Sequence, residues 1–277
     1  MAPAPPPVLR LIRARNLLIA AAGVVAGGWI ALWDIALPKE LVFAACSGLA
    51  LGAVGNTWND IRDVAADRIN RPATRPMVAG TVTRGTADLI LFAGTLLGLA
   101  FAGLIGGWQV VAALAALGVM FSYSPLLKPV PLVGNLAVAI VAGSPPFYGA
   151  LAMGRPGAGL VPWLLAAWLH VVREIVKDVE DEAGDRTIGR RTMPIVVGRR
   201  PAMVVAAGIG LLFIPASLLV PMHDDYRSAY FLFALPAQMA VLLAATWLLL
   251  GKVERVSALL KGAMVIGLVA LVMGKAA

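Results

Sequence analysis

The chain has 277 residues, of which 60% are hydrophobic and only 14% charged, with a formal charge of +8. A soluble domain carries about 45–50% apolar and about 25% charged residues, so a soluble globular fold is excluded. Cys46 is the only cysteine and has no partner within the chain, which excludes a disulfide-stapled scaffold.

In chain order, the proline-rich stretch Met1–Pro7 is expected to lie loose in water, and Arg10, Arg13 and Arg15 follow it. A helix needs ~20 apolar residues to cross a bilayer. Nine runs qualify, at about 16–33, 41–59, 86–105, 107–123, 133–152, 160–177, 202–221, 229–250 and 257–274. No small-residue cleavage site is evident, so the first run is expected to stay as an anchor. Counted over alternating loops, 19 of the 23 Lys and Arg fall on one side of the membrane and 4 on the other. The positive-inside rule then puts the N-terminus in the cytoplasm and the C-terminus outside, with an odd number of spans. The fold expected is an all-α, multi-pass bundle in the cytoplasmic (inner) membrane. Its basic excess is read as topology and lipid contact, and no nucleic-acid partner is expected.

Acids are distributed very unevenly. Asp60, Asp63 and Asp67 end the second run, and Glu174, Asp178, Glu180, Asp181, Glu182 and Asp185 end the sixth, so nine of fifteen occupy two short segments. The trios Asp60, Asp63, Asp67 and Asp178, Asp181, Asp185 are each spaced i, i+3, i+7. In a helix that places three carboxylates on one face within ~60°. Their repulsion weakens the helix unless a cation sits among them. Mg²⁺ is the usual hard ion where phosphates are also present.

A shift of 118 residues superposes Asp60–Gly80 on Asp178–Gly198 with nine of 21 positions identical. Four helices lie between the copies, so both point the same way, as in a parallel internal repeat about a pseudo-two-fold axis. The two acidic helix ends are therefore expected to form one site. Arg62, Arg68, Arg71, Arg75 and Arg84 follow the first cluster; Arg173, Lys177, Arg186, Arg190 and Arg191 surround the second. Carboxylates, a divalent ion and bases together can hold a diphosphate that carboxylates alone would repel.

These residues resemble a known family. Asn59–Asp67 (NDIRDVAAD) is similar to the NDxxDxxxD motif of the UbiA superfamily of membrane prenyltransferases, and Asn70–Pro76 to its NRPxxRP stretch. Asp181–Asp185 (DEAGD) resembles the second motif, although that motif usually reads DxEGD and here Ala183 stands at the Glu position. Tyr123 and Lys128 sit where the family has a Tyr…Lys pair after the fourth helix.

The resemblance implies nine helices around a central cavity, capped by the 71–85 and 186–200 loops, in a single domain over 1–277. It implies Mg²⁺ on Asp63, Asp67, Asp181 and Asp185, with Asn59, Tyr123 and Lys128 joining catalysis. Arg13, Asn16, Arg71, Arg75, Lys177, Asp60, Asp178 and Arg186 would bind substrate. Arg173–Asp181 is most similar to the archaeal-type digeranylgeranylglyceryl phosphate synthase branch.

The expected activity is transfer of a prenyl group from an allylic diphosphate to a lipophilic acceptor such as geranylgeranylglyceryl phosphate. On a phosphorylated acceptor, Arg190 or Arg191 would orient the phosphate. An aromatic acceptor is the alternative within the family. A transporter is a rival from another class, but here the acids stand at helix ends and the spans are nearly free of charge. A CDP-alcohol phosphotransferase would show an Asp-Gly-x-x-Ala-Arg run, which is missing. Trp58, Phe121 and Tyr148 could face a cation, although helix packing is the commoner use. His170 lies within the sixth run, where a hydrogen bond to a neighbouring helix outweighs a role as base. His223, Asp224 and Asp225 read as a solvated turn.

Overall fold

The computed structural model of the chain describes residues 5–223 and 226–276, so the expectations for Met1–Ala4 and for Asp224–Asp225 lie outside the described residues. Every regular element among these residues is helical. A short α1 (Pro7–Leu11) leads into α2 (Ala14–Leu32), α3 (Lys39–Asn70), α4 (Arg84–Gly103) and α5 (Gly107–Ser122). Then come α6 (Val133–Gly143), α7 (Pro145–Ala152), α8 (Leu160–Thr187) and the short α9 (Met193–Val197). The chain closes with α10 (Arg199–His223), α11 (Ser228–Leu249) and α12 (Val256–Ala276).

Local chemistry sets several of these boundaries. Thr83 caps α4, its hydroxyl accepting from the Thr86 backbone N–H at 3.2 Å. Pro145 and Pro146 lack the N–H groups that would continue α6, so the run bends there. Among the described residues eight helices are long and apolar enough to cross a membrane, and α6 with α7 forms a further candidate span bent by 42°. Large apolar side chains face outward, Phe92 at 71% and Trp108 at 77% exposure, where a soluble protein would carry charge. The chain is therefore a multi-pass membrane protein.

Backbones approach closely where glycine permits. A Cβ on Gly27 would lie 1.8 Å from the Pro146 carbonyl oxygen, and one on Gly149 would lie 1.8 Å from that of Val24, so α2 and α7 touch along their main chains. One core joins α8, α10, α11 and α12 through Val172, Ile175, Phe213, Leu248 and Leu260; another joins α3, α4 and α5 through Leu51, Val54, Ala102 and Leu117. Between them lies a cavity of about 660 Å³, closed at one end by polar residues. That end gathers the C-terminal tips of α3, α5 and α8 with the N-terminal ends of α2 and α12. The ties are Arg13 to Asp60, Lys128 to Asp63, Asn70 to Asp181 and Lys261 to Asn16.

Candidate active site

Helices α3 and α8 are 32 and 28 residues long, and their polar C-terminal turns overhang the apolar bundle. Gly184 lets the two tips meet: a Cβ there would lie 2.5 Å from both the Ala66 carbonyl oxygen and Asn70 Nδ2. Asn70 uses that space. Its Nδ2 donates to the Asp181 carbonyl at 3.0 Å, and its Oδ1 accepts from the Gly184 N–H at 2.9 Å. One amide side chain thus fastens the two acidic tips together.

The carboxylates pair crosswise. Asp63 and Asp185 share two cations: Lys128 Nζ at 3.2 and 3.8 Å, and Arg190 at 2.5 and 2.9 Å. Asp67 and Asp181 share Arg71, at 3.9 and 2.6 Å. Asp63 and Asp181 are 19% and 17% exposed and line the cavity, whereas Asp67 and Asp185, at 5% and 1%, stand behind them. Burial alone would lower the pKa of Arg190, but Asp63 and Asp185 outweigh it and hold the guanidinium above its usual value.

The reach of Lys128 follows from Pro125. Lacking an N–H, Pro125 cannot continue α5, and Tyr123–Leu127 widens into a π-turn in which the Lys128 N–H donates to the Tyr123 carbonyl at 2.7 Å. Tyr123 is buried against the cavity, and Ser124 Oγ donates to Asn59 Oδ1 at 3.1 Å. Asn135 on α6 was not singled out by sequence, yet its Nδ2 donates to Asp178 Oδ2 at 2.7 Å and fixes that buried acid. Its only sequence signal is a lone amide entering an apolar run.

Asp60 is 2% exposed and held by Arg13 at 2.7 Å and Arg75 at 3.2 Å, so it serves the bases rather than facing the cavity. Arg75 also meets Asp67 at 3.0 Å. Arg13, Asn16 and Lys177 line the cavity, and Lys177 pairs with Glu174 at 2.8 Å. Arg186 stands apart: it is 61% exposed and pairs with Glu182 one turn back on its own helix. Arg190 bridges Asp63 and Asp185, and Arg191 is exposed. Trp58 and Phe121 pack edge to face at 5.2 Å, away from the cavity that Tyr148 and His170 line.

The sequence placed a divalent ion among the acids; in the structure, bases bridge them. Among the described residues no three Asp, Glu, His or Cys side chains gather as a ready metal site. The donor set nevertheless fits Mg²⁺, which takes one or two carboxylates and completes its shell with phosphate oxygens and water. Asp185 Oδ2 is buried without a hydrogen bond, a hard oxygen donor with free capacity.

Charged groups confined to one end of a deep apolar chamber suit a substrate with an anionic head and a long hydrocarbon tail, and the class so defined is a membrane-embedded transferase. Residues 17–269 match the UbiA prenyltransferase family, and the chain belongs to it. A digeranylgeranylglyceryl phosphate synthase of Thermococcus gammatolerans is 39% identical over 251 residues, covering 89% of this chain and 88% of that protein. Among solved structures, a digeranylgeranylglyceryl phosphate synthase in membranes is 26% identical with a TM-score of 0.76, covering 98% of each chain. A UbiA homologue from Archaeoglobus fulgidus, bound to GPP and Mg²⁺, is 20% identical with a TM-score of 0.70, covering 97% of this chain and 98% of that one.

Proposed function

We propose that the chain transfers the prenyl group of geranylgeranyl diphosphate to the free hydroxyl of geranylgeranylglyceryl phosphate, as its similarity to named digeranylgeranylglyceryl phosphate synthases suggests. The observation that carries the reading is the crosswise acid pairing at the mouth of the apolar cavity. The diphosphate sits between the tips of α3 and α8, where Lys128, Arg190, Arg71 and Arg75 take its oxygens. Asp63, Asp67, Asp181 and Asp185 would hold Mg²⁺, which when bound would offset the charge growing on the departing diphosphate. The small and aliphatic walls contributed by Gly48, Gly52, Ala116 and Val141 receive the tail and keep water from the allylic carbon. The allylic C–O bond breaks, the acceptor oxygen bonds to that carbon, and the hydroxyl proton leaves with the released diphosphate.

The motif segments 60–80 and 178–198 act as an internal repeat. Shifting by 118 exchanges Asp63 with Asp181 and Asp67 with Asp185, so a two-fold axis would turn each crosswise pair into the other. Nine spans, an N-terminus in the cytoplasm and a place in the cytoplasmic membrane complete the reading. The alternation is supported by α2 and α12 bringing their N-terminal ends to the site while α3, α5 and α8 bring their C-terminal ends; the side assigned to the cytoplasm rests on the basic loops.

The test is an assay of detergent-purified protein with Mg²⁺, geranylgeranyl diphosphate and a choice of geranylgeranylglyceryl phosphate or an aromatic acid. The expected product is the doubly prenylated ether lipid, lost on chelation with EDTA. Transfer to the aromatic acceptor alone, or no diphosphate release with either, would overturn the reading.

A further inference from the structure

A second recess of about 320 Å³ opens beside the main cavity and shares Arg13, Asn16, Arg75, Arg173, Lys177 and Lys261 with it. Its only acid is Glu180, against six bases. Three of these bases face the acids of the diphosphate site: Arg13 and Arg75 meet Asp60 at 2.7 and 3.2 Å, and Arg71 meets Asp181 at 2.6 Å. The other three share a single carboxylate. Glu174 accepts from Arg173 at 3.1 Å and Lys177 at 2.8 Å. Lys261 reaches no acid among the described residues and donates only to Asn16 Oδ1, at 3.3 Å.

Two further observations point to a ligand. Arg173 Nε is buried without a hydrogen-bond partner. Lys261 stands near the N-terminal end of α12, at the polar mouth of the cavity, with no acid among the described residues to answer it. Arg173, Lys177 and Lys261 against Glu174 and Glu180 leave one net positive charge, with Arg13, Arg71 and Arg75 on the same wall, so the recess matches in sign a phosphate monoester, which carries roughly −1.5 to −2 at neutral pH.

We infer that this recess seats the phosphate of the acceptor lipid, with Lys261, Arg173 and Lys177 as its ligands and the lipid tail running into the adjoining cavity. Two phosphate seats then lie side by side, the diphosphate between the aspartate pairs and the monoester against α8 and α12, with Arg13 and Arg75 between them. The acceptor hydroxyl is a few bonds from its phosphate, so anchoring the head aims the oxygen at the allylic carbon. This inference rests on the proposed reaction with a phosphorylated acceptor. It moves the phosphate contact from Arg190 and Arg191, the residues that the sequence pointed to, onto a different wall.

The test compares wild type with Lys261→Met in detergent, at saturating Mg²⁺. Wild type must first prenylate geranylgeranylglyceryl phosphate; if it does not, the proposed function fails and the recess is not in question. Given that activity, Lys261→Met is expected to raise KM for the phosphorylated acceptor about tenfold or more, the worth of one charge-assisted hydrogen bond. KM for geranylgeranyl diphosphate is expected to stay within about twofold, and Lys261→Arg to restore the acceptor KM. Inorganic phosphate should compete with the acceptor in wild type and less well in the variant, whereas geranylgeranylglycerol without phosphate should be an equally poor acceptor for both. An unchanged acceptor KM overturns the inference, even if free phosphate inhibits. So does a rise confined to the diphosphate KM. If Lys261→Met does not fold, Lys261→Gln carries the same comparison.

Discussion

Of the four paired acids, Asp63 and Asp181 face the cavity, so the proposed mechanism asks most of them. Asp63→Asn keeps the shape but removes the charge that Lys128 and Arg190 answer. Pyrophosphate release is expected to fall by about two orders of magnitude or more, with the protein still monodisperse in detergent. Asp181→Asn should do the same. Release at the wild-type rate would take the acid out of the metal site. That these four acids come together at one place was legible, because motif spacing marks them directly. Asn135 was not, since its role depends on where α6 lies against α8, and no local pattern records that. Arg186 shows the converse: it sits within the motif, yet helical geometry turns it outward onto Glu182.

At the scale of elements, contact between α3 and α8 decides whether two acidic tips become one site. Gly184→Ala would drive a methyl group into the Ala66 carbonyl and the Asn70 amide, each 2.5 Å from the new Cβ. Overpacking of this kind costs about 1–3 kcal/mol. The expected result is a melting temperature lower by several degrees, about 2–4 °C per kcal/mol in a chain of this size, together with a loss of turnover as the tips part. Normal activity with normal stability would show that the tips are not set by this contact. The helical runs themselves were legible, because bilayer thickness fixes their length. The bend between α6 and α7 was less so: the run at 133–152 reads as one apolar segment until Pro145 and Pro146 break it. The π-turn at Tyr123–Leu127 depends on Pro125 in the same way, and it delivers Lys128 to Asp63.

For the whole molecule, the proposed topology puts the α3–α4 loop in the cytoplasm and the turn before α8 outside. Ala73 and Gly157 are exposed at these two places. In a Cys46→Ser background, a membrane-impermeant maleimide applied to intact cells should label Gly157→Cys at once and Ala73→Cys only after permeabilisation. Labelling of both from the same side would refute alternating passage and, with it, the nine-span arrangement.

Sequence by itself determined the membrane class, the apolar helical runs and the acid motifs, because hydropathy and i, i+3, i+7 spacing act within one helix and need no partner. Tertiary structure alone decided which acids share a cation, Asp63 and Asp185 holding Lys128 and Arg190, and Asp67 and Asp181 holding Arg71, across more than a hundred residues of chain. It also decided that Arg190 would join that network while Lys261 stood without an acid. Such pairings arise from the packing of distant helices, and the chain writes no periodicity that records them.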